Sequence, residues 1–549
     1  MTTPTMDDTV PDTTVSADEA ALRKQGHKGE LPRQFSAFSA LSLAFVITNS
    51  WIGYAAVFVT PLLAGGGPAV FWGVIVSFVV CTLITLGMAE LASAFPSSGG
   101  QYHFTFMVSS PKTRAAGAFV TGWLSALAWC LTATSGASFT AQIVMAIASF
   151  DNPNYVAERW QVYLVFLLIT ILACAIVCLL PKLLPKLEEF FFWCSILAFL
   201  VTSIACVAMN KNKEPASTVF TTYTNQTGWS DGTSFMIGLG SCMYIFVATD
   251  AATHIAEEVP NPGHNIPRVM WMTPLIGIVT TLLFLLATLF SATDLDAISA
   301  SALPILTLYS QATNSTPATI FFSFWLLLNY FGATIGCITT SGRLTWAFAR
   351  DNGVWYSSHV AKVDSRLETP VVATVCCSIF IALYGLIYIG STTAFNSIVS
   401  MSILSLNLTY VIPQGIVLFR GRDKVLPARA LNLGRFGPVI NAISCLWVAV
   451  YVVIFCLPVF VPPTVNDMNY LSPVAVGIVL LILVAWYGGK RKTFTGPVSQ
   501  IPSKLRARLM REKNVQFDQG LVTEGVSLAG SSDVPVAEGE KTAQTESKG

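Results

Sequence analysis

Twelve apolar stretches, each about long enough to cross a lipid bilayer, follow one another along this chain. A membrane-spanning helix needs about 20 mostly apolar residues, because the hydrocarbon core is about 30 Å thick. The stretches run over residues 38–63, 70–95, 113–148, 161–180, 189–209, 232–257, 268–292, 318–349, 370–390, 395–419, 438–461 and 472–488. They predict an all-α membrane protein with twelve transmembrane helices.

The charge content agrees with this class of fold. Only 11% of the residues are charged, whereas a soluble domain carries about 25%. Most of the chain must therefore face lipid or other apolar helices. Three regions follow from the composition: a tail over 1–34, a twelve-helix domain over 35–489 and a second tail over 490–549. Both tails are polar and predicted to be disordered.

The lysines and arginines predict the orientation of the helices in the membrane. Loops after even-numbered spans are basic, whereas the other side has little beyond Arg159, Lys211 and Lys213. Positive loops stay in the cytoplasm, so we expect both tails to be cytoplasmic. The sequons at 225–227 and 314–316 fall in the predicted outer loops, where glycosylation is possible. We expect a multi-pass protein of the plasma membrane.

Two of the apolar stretches, the first and the sixth, are interrupted by small and polar residues at membrane depth. The interruptions lie within residues 45–54 and 244–252. Lipid cannot satisfy freed backbone N–H and C=O groups, so irregular backbone at this depth must line a protein cavity. A matched pair of broken helices in two halves of a chain indicates the substrate site of a carrier. The pattern therefore predicts a transporter.

Asp250 lies within the second interruption and is the strongest candidate for a functional residue. A carboxylate at the bilayer centre costs about 2.5–3.5 kcal/mol on insertion scales, so it faces the interior of a bundle. No intramembrane lysine or arginine is close in sequence to pair with it. It would serve as counter-charge to a cationic substrate, as a proton carrier, or as both in turn. The alternative is a structural acid that caps the next helical segment.

Aromatic residues flank both interruptions: Trp51 at the first, Tyr244 and Phe246 at the second. A quaternary ammonium has no N–H to donate, so a site for it needs aromatic faces and a nearby negative charge. Each cation–π contact contributes about 0.5–2 kcal/mol. The alternative is ordinary packing, because 11% of the chain is aromatic.

Three motifs in order along the chain resemble those of the amino acid–polyamine–organocation superfamily. They are MAELASAFPSSGGQY at 88–102, DAATHIAEEVPNPGHNIP at 250–267, and RLTWAFARDNG at 343–353 with Thr369-Pro370-Val371 beyond it. Within the superfamily, Thr48-Asn49-Ser50-Trp51 and the Gly65-Gly66-Gly67-Pro68 turn most resemble the fungal choline/GABA permease branch, with the choline transporters closest. The resemblance implies a LeuT-type fold: two inverted five-helix repeats, broken helices 1 and 6, two extra helices outside, and alternating access. It also implies an aromatic gate at Tyr244.

The first interruption differs from the superfamily pattern in one respect. Amino-acid carriers of this superfamily present Gly-x-Gly there to hold a carboxylate, whereas this chain has Asn49-Ser50-Trp51-Ile52-Gly53. This difference favours a substrate without a carboxylate, such as choline, over GABA and α-amino acids. GABA, an amino acid or a polyamine stay as alternatives. Asn49 and Ser50 would bind the substrate hydroxyl or satisfy the broken backbone. Gly53 and Thr249 complete the predicted binding set.

The energy source has three candidates. The resemblance implies proton symport, with Asp250 as the relay. Thr339, Thr340 and Ser341 offer hydroxyls to a sodium ion or simply pack at a helix interface. The third candidate is facilitated diffusion driven by the membrane potential, because one cationic charge gains about 2.3 kcal/mol per 100 mV on entering the cell.

The acidic residues Glu90, Glu257 and Glu258 lie near predicted cytoplasmic helix ends. We expect them to form gating or structural ion pairs with Arg268, Arg343 or Arg350. The predicted gating or structural residues are thus Glu90, Glu257 and Arg343.

Other functional classes lack their motifs. The five histidines show no HxxxH or HExxH spacing, and no GxSxG or Walker A sequence occurs, so we expect no metal, no cofactor and no enzymatic activity. A membrane sensor would carry a long folded cytoplasmic extension. The sequence has no block of basic residues of the kind that binds nucleic acid. The expected partners are a small cationic substrate (choline or a related amine), H+ and membrane lipid, and tail lysines offer sites for ubiquitination machinery.

Overall fold

The computed structural model describes residues 29–152, 154–464 and 468–497, and all regular structure in these ranges is helical. Twelve of the described helices are long and apolar enough to cross a membrane. They are α1 Ala37–Val57, α2 Val59–Ala94, α3 Arg114–Phe150, α4 Arg159–Leu179, α5 Pro181–Met209, α6 Asp231–Glu258, α7 Pro262–Leu289, α8 Thr316–Arg350, α9 Val371–Gly390, α10 Ser400–Arg420, α11 Gly434–Ile454 and α12 Leu471–Thr493. Each overlaps its predicted range, which confirms the twelve-helix fold.

Short helices occupy the connections between the spans. They are Gln101–Val108, Ala216–Phe220, Leu295–Ala300, Pro304–Thr313, Ser357–Val360 and Arg422–Val425. The helix containing α10 begins earlier, at Thr392. The predicted glycine turn lies inside the helix Val59–Ala94 and kinks it at Gly66, whose φ of 69° and ψ of −158° favour a residue without a Cβ.

The spans differ in how much of their surface the protein covers. In α1 and α6 the most apolar window is 89% and 78% buried, whereas in α11 and α12 it is 28% and 22% buried. The first pair therefore lies at the centre of the bundle, and the second lies at its periphery with apolar side chains turned outward. This arrangement confirms the two extra outer helices of the LeuT-type fold.

The first break lies at Asn49, whose φ of 26° and ψ of 64° end one helix and begin the next. We call the two halves α1a, Ala37–Thr48, and α1b, Ser50–Val57. A capping box at Ser36 and Ser39 starts α1a. Asparagine accepts left-handed backbone more readily than most residues, so this position suits the break.

The second break separates the two halves of α6. The first half, α6a, is Asp231–Met243 followed by the 3₁₀ turn Tyr244–Phe246. The second half, α6b, is the 3₁₀ helix Ala251–Glu258. Between them Ala248 has a φ of 69°. Both predicted breaks are therefore confirmed, five spans apart.

We call the end of the bundle where α1 begins the basic end, because the loops after even-numbered spans lie there. The packed part of the chain reaches beyond the predicted domain 35–489 on both sides. Leu31 is buried beside Trp346 and Val360. Phe494 is buried against Phe119, with 5.5 Å between ring centroids. Residues 1–28 and 498–549 of the predicted tails lie outside the described residues.

Candidate functional site

A small cavity lies between the two breaks. Its volume is about 30 Å³. Twelve residues from α1, α3, α6 and α8 line it: Ile47, Thr48, Asn49, Ile52, Gly53, Thr132, Tyr244, Val247, Ala248, Asn329, Tyr330 and Ala333. None of the twelve is charged, so the polarity of the cavity comes from amides, hydroxyls and the interrupted backbone.

Three lining residues have buried polar atoms without a hydrogen-bond partner among the described residues. These atoms are Thr48 Oγ1, Asn49 Nδ2 and Asn329 Oδ1. The Asn329 amide nitrogen is used already, because it donates to Trp325 O at 2.8 Å. The set thus offers one amide donor, one amide acceptor and one hydroxyl. A buried polar atom costs free energy until it is paired, so these atoms indicate a polar ligand group.

Aromatic rings form one wall of the cavity. Tyr244 and Tyr330 both line it, and Phe139 packs behind them with ring centroids 6.4 and 5.5 Å away. The hydroxyl of Tyr330 donates to Ile52 O at 3.0 Å, and that of Tyr244 lies 3.3 Å from Ser135 Oγ. These bonds fix both rings, whose faces attract cations.

The helix ends at the cavity add to this preference. α1a ends at Thr48 and α6a ends at Phe246, so both present C-terminal carbonyls near the cavity. A helix C-terminus carries about half a negative charge and stabilises cations by about 0.3–1 kcal/mol when exposed, more when partly buried. Two such ends meeting at one cavity favour a positively charged ligand.

Asp250 lies outside the cavity wall, in a closed polar cluster. Its carboxylate accepts hydrogen bonds from Gln101 Nε2 and Tyr410 OH, and from Trp129 Nε1 at 3.1 Å. Its Oδ2 also lies 3.1 Å from His254 Nε2. The side chain is fully buried. The sequence analysis considered only lysines and arginines as partners of Asp250. It therefore missed His254, which lies only four residues further along the chain.

His254 links Asp250 to the connection that follows α2. Its Nδ1 lies 3.1 Å from Ser98 O, and its Nε2 lies 3.1 Å from Asp250 Oδ2. The imidazole therefore bridges the Asp250 carboxyl group and a backbone carbonyl.

The predicted binding residues divide into two groups. Asn49, Gly53 and Tyr244 line the cavity. The other five are buried around it: Ser50, Trp51, Phe246, Thr249 and Asp250. For all eight residues, contact with substrate stays a prediction.

The residues outside the wall have structural contacts of their own. Trp51 Nε1 donates to Ser195 Oγ at 2.9 Å, and Ser195 Oγ donates to Asn49 Oδ1 at 3.0 Å, which ties the first break to α5. The Thr249 hydroxyl lies 2.8 Å from that of Thr85. Ser50 lies against Gly277 of α7, where a Cβ would collide with the serine hydroxyl. These contacts hold the broken backbone in place.

Sequence reasoning missed Thr132, Asn329 and Tyr330 as cavity residues. An amide and a phenol side by side in the middle of an apolar span, as at 329–330, were the available signal. Two asparagines, one in α1 and one in α8, thus face one cavity from opposite helices.

Ion pairs close the basic end. Glu257 accepts from Arg350 NH1 and NH2 at 2.9 and 2.8 Å, and Glu258 accepts from Arg343 Nε at 3.0 Å. These contacts join α6b to α8 as predicted, with Arg343 and Arg350 rather than Arg268 as the partners. All four side chains are at most 2% exposed.

Glu90 has partners that the sequence had not suggested. It pairs with Arg422, and with Arg429 at 2.7 Å, both from the connection between α10 and α11. These contacts join α2 to that connection, so Glu90 has a structural position away from the α6–α8 pairs.

Comparison with known proteins supports a family assignment. The sequence model of a family described as "Amino acid permease" matches residues 38–484. The chain is 32% identical over 467 residues to a "Choline transporter" of Saccharomyces cerevisiae, covering 84% of this chain and 82% of the relative.

Two further relatives carry different names. A "Swainsonine transporter swnT" of Arthroderma benhamiae is 30% identical, with 83% of this chain and 90% of the relative covered. "Amino-acid permease BAT1" of Arabidopsis thaliana is 28% identical, with 89% and 98% covered. The names of these relatives therefore point to different transported solutes.

Proposed function

The chain belongs to the amino acid permease family, and on that premise we propose that it imports a small organic cation, most specifically choline, by alternating access. The family and the relatives named above are transporters, and the twelve apolar helices fit a multi-pass membrane protein. The substrate, the coupling ion and the orientation are the proposed parts.

The residues that line the cavity support choline as the substrate. Two tyrosine faces and two helix C-termini favour a cation. The unpartnered atoms of Thr48, Asn49 and Asn329 match an alcohol group, which both donates and accepts hydrogen bonds. Choline combines a quaternary ammonium with one hydroxyl. A carboxylate-bearing substrate such as GABA would find no lysine or arginine among the lining residues.

The size of the cavity supports alternating access. A cavity needs about 10–15 Å³ to hold one water molecule, so a cavity of about 30 Å³ has room for two or three waters but not for an organic cation. The substrate enters only when the broken helices α1 and α6 move away from α3 and α8. The buried ion pairs Glu257–Arg350 and Glu258–Arg343 hold the basic end closed meanwhile.

Proton coupling fits the His254–Asp250 pair. A carboxyl group and an imidazole in contact can pass a proton between them and to water when the cluster opens, and Asp250 follows Ala248 of the cavity wall by two residues. We propose that Asp250 acts as a counter-charge to the substrate and as the proton relay. The basic end faces the cytoplasm of a plasma membrane in this proposal, with both termini on that side.

Uptake of radiolabelled choline by cells that lack their own choline transport, and by proteoliposomes, tests the proposal. Excess unlabelled choline should abolish the signal, ethanolamine should compete more weakly because it lacks the quaternary ammonium, and GABA, arginine and putrescine should compete poorly. Full competition by GABA or an amino acid would indicate that this class of compound, rather than choline, is the substrate. No choline uptake in a correctly inserted protein would reject it.

Tyr244 offers a sharp test of the aromatic wall. Tyr244→Ala should raise the KM for choline about tenfold or more, because a desolvated cation–π contact contributes about 2 kcal/mol. Tyr244→Phe keeps the ring and loses only the Ser135 contact, so its KM should stay within about threefold of wild type. Tyr487→Ala, on the outward face of α12 at 72% exposure, is the matched control. Equal effects of the Ala and Phe variants would argue against a cation–π role.

A further inference from the structure

Glu188 of α5 is a buried carboxyl group that neither the ion pairs nor the cavity uses. It is fully buried, and both its oxygens lack a hydrogen-bond partner among the described residues. Glu257 and Glu258 are paired with arginines, and Asp250 accepts from three donors and contacts His254. Its neighbour Glu189 is only half-buried.

The surroundings of Glu188 are apolar and close-packed. Its Oε1 lies 3.5 Å from the place that a Cβ on Gly336 of α8 would occupy, and the Ile47 side chain of α1a lies 2.6 Å from the same place. The acid therefore lies where α1a, α5 and α8 meet. Gly336 allows this approach because it has no side chain.

The titratable groups around Glu188 give it no counter-charge. On α8 the thiol of Cys337 is close enough to interact with it, while Arg343 of the same helix is bonded to Glu258. α1a contains no titratable residue. α8 also carries Tyr330, which is bonded to Ile52 O, and Arg350, which is bonded to Glu257. The other groups on α5 and on the elements packed against it are His264 and Arg268 at the start of α7, Tyr309 of Pro304–Thr313, and Lys182, Lys186, Glu189, Cys194 and Cys206 of α5 itself.

A carboxylate in this place would be unstable. Removing an ion from water costs several kcal/mol in a real protein, and nothing here compensates for it. The conformation described here therefore fits the protonated, neutral form of Glu188. Ionisation becomes favourable only when water reaches the group, which requires α1a and α5 to separate.

α5 links this position to the substrate cavity. Ser195 lies seven residues after Glu188, two helical turns along the same face. Ser195 donates to Asn49, which lines the cavity. A movement of α5 away from α1a would thus expose Glu188 and release Asn49 together.

We propose that Glu188 is a proton-binding site that controls the opening of the basic end. When the end is closed, the proton stays on the carboxyl oxygen. When α1a and α5 separate, the O–H bond breaks, the proton passes to water, and the carboxylate becomes hydrated; closing takes a proton back from water. This inference rests on the alternating access of the proposed function, but not on the identity of the substrate.

The native thiol of Cys337 reports the opening, because it is only 3% exposed in the closed end and lies beside Glu188. Alkylation of Cys337 is measured by peptide mass spectrometry on the purified full chain between pH 6 and 8, without substrate. Wild type is compared with Glu188→Gln, which mimics the neutral acid, and with Glu189→Gln as the matched control. Dividing by the rate of Glu188→Gln at each pH removes the intrinsic pH dependence of the thiol.

The ratio of wild type to Glu188→Gln should rise with pH, by up to about tenfold per pH unit for one linked proton, and Glu189→Gln should behave as wild type. A ratio independent of pH would overturn the proposal. Glu188→Met, apolar and similar in length, replaces Glu188→Gln if that variant does not fold. Because no substrate is present, failure of choline uptake would reject the proposed function and leave this result standing.

Discussion

Asp250→Asn is expected to reduce choline uptake by more than about tenfold at every pH. A tenfold loss corresponds to about 1.4 kcal/mol, and the substitution removes more than that in two ways. It deletes the negative charge beside the cavity, and it places an amide N–H₂ among the donors Gln101, Trp129 and Tyr410. A donor facing donors leaves buried groups unpaired, at about 1–3 kcal/mol each.

The same substitution tests proton coupling. The variant removes the carboxyl group of the proposed relay beside His254, so any remaining uptake should lose its stimulation by an inward pH gradient. Uptake is measured from acidic to alkaline external pH, with surface expression and melting temperature recorded in parallel. Asp296→Asn, the same chemical change at an exposed position, should match wild type.

Tyr410→Phe provides a milder variant in case Asp250→Asn does not fold. It removes one of the donors to Asp250 and keeps the carboxyl group. We expect a partial loss of uptake with the pH response preserved. Normal choline uptake by a folded Asp250→Asn protein at every pH would reject both roles given to Asp250.

Glu257→Ala is expected to open the basic end and to abolish accumulation of substrate. The variant leaves the Arg350 guanidinium buried without its carboxylate. Removing one partner of a buried pair costs about 3–5 kcal/mol, and about 1.4 kcal/mol changes an equilibrium tenfold. Since the pair joins α6b to α8 only while the end is closed, this cost should shift the equilibrium towards the open form by more than a hundredfold.

Two measurements check this expectation: uptake of labelled choline, which should fall, and alkylation of the native Cys337, which should rise. Arg350→Ala should act in the same direction, and the double variant should cost less than the sum of the two single variants. The matched control is Glu368→Ala. Its partner Lys182 lies 3.3 Å away, but their side chains are 47% and 73% exposed, so the pair contributes at most about 1 kcal/mol. Equal behaviour of the buried and exposed pairs would contradict a gating role for Glu257.

The sequence alone determined the spans and their breaks. Hydropathy at membrane depth is a local property, because a lipid-facing helix must be apolar wherever it lies in the fold. The breaks at Asn49 and Ala248 were predictable for the same reason, since polar residues in an apolar stretch signal a local exception. The pairing of Glu257 and Glu258 with arginines followed from their shared end of the bundle.

The tertiary structure decided which residues face the cavity. Trp51 and Asn49 are two residues apart, yet one side chain packs towards α5 and α7 and the other lines the cavity. Asn329 and Tyr330 reach the same cavity from α8, almost 280 residues along the chain from Ile52, to which Tyr330 is bonded. Which residues reach one cavity depends on how the helices pack, and the composition of the chain does not determine that packing.

Glu188 and Glu189 show the same division at a single site. In sequence they are two identical neighbouring acids at the start of an apolar span. In the fold one is covered completely by α1a and α8, and the other is half-buried near the start of α5. A helix turns by about 100° per residue, so adjacent side chains meet different surroundings, and only the packed neighbours determine which of the two is removed from water.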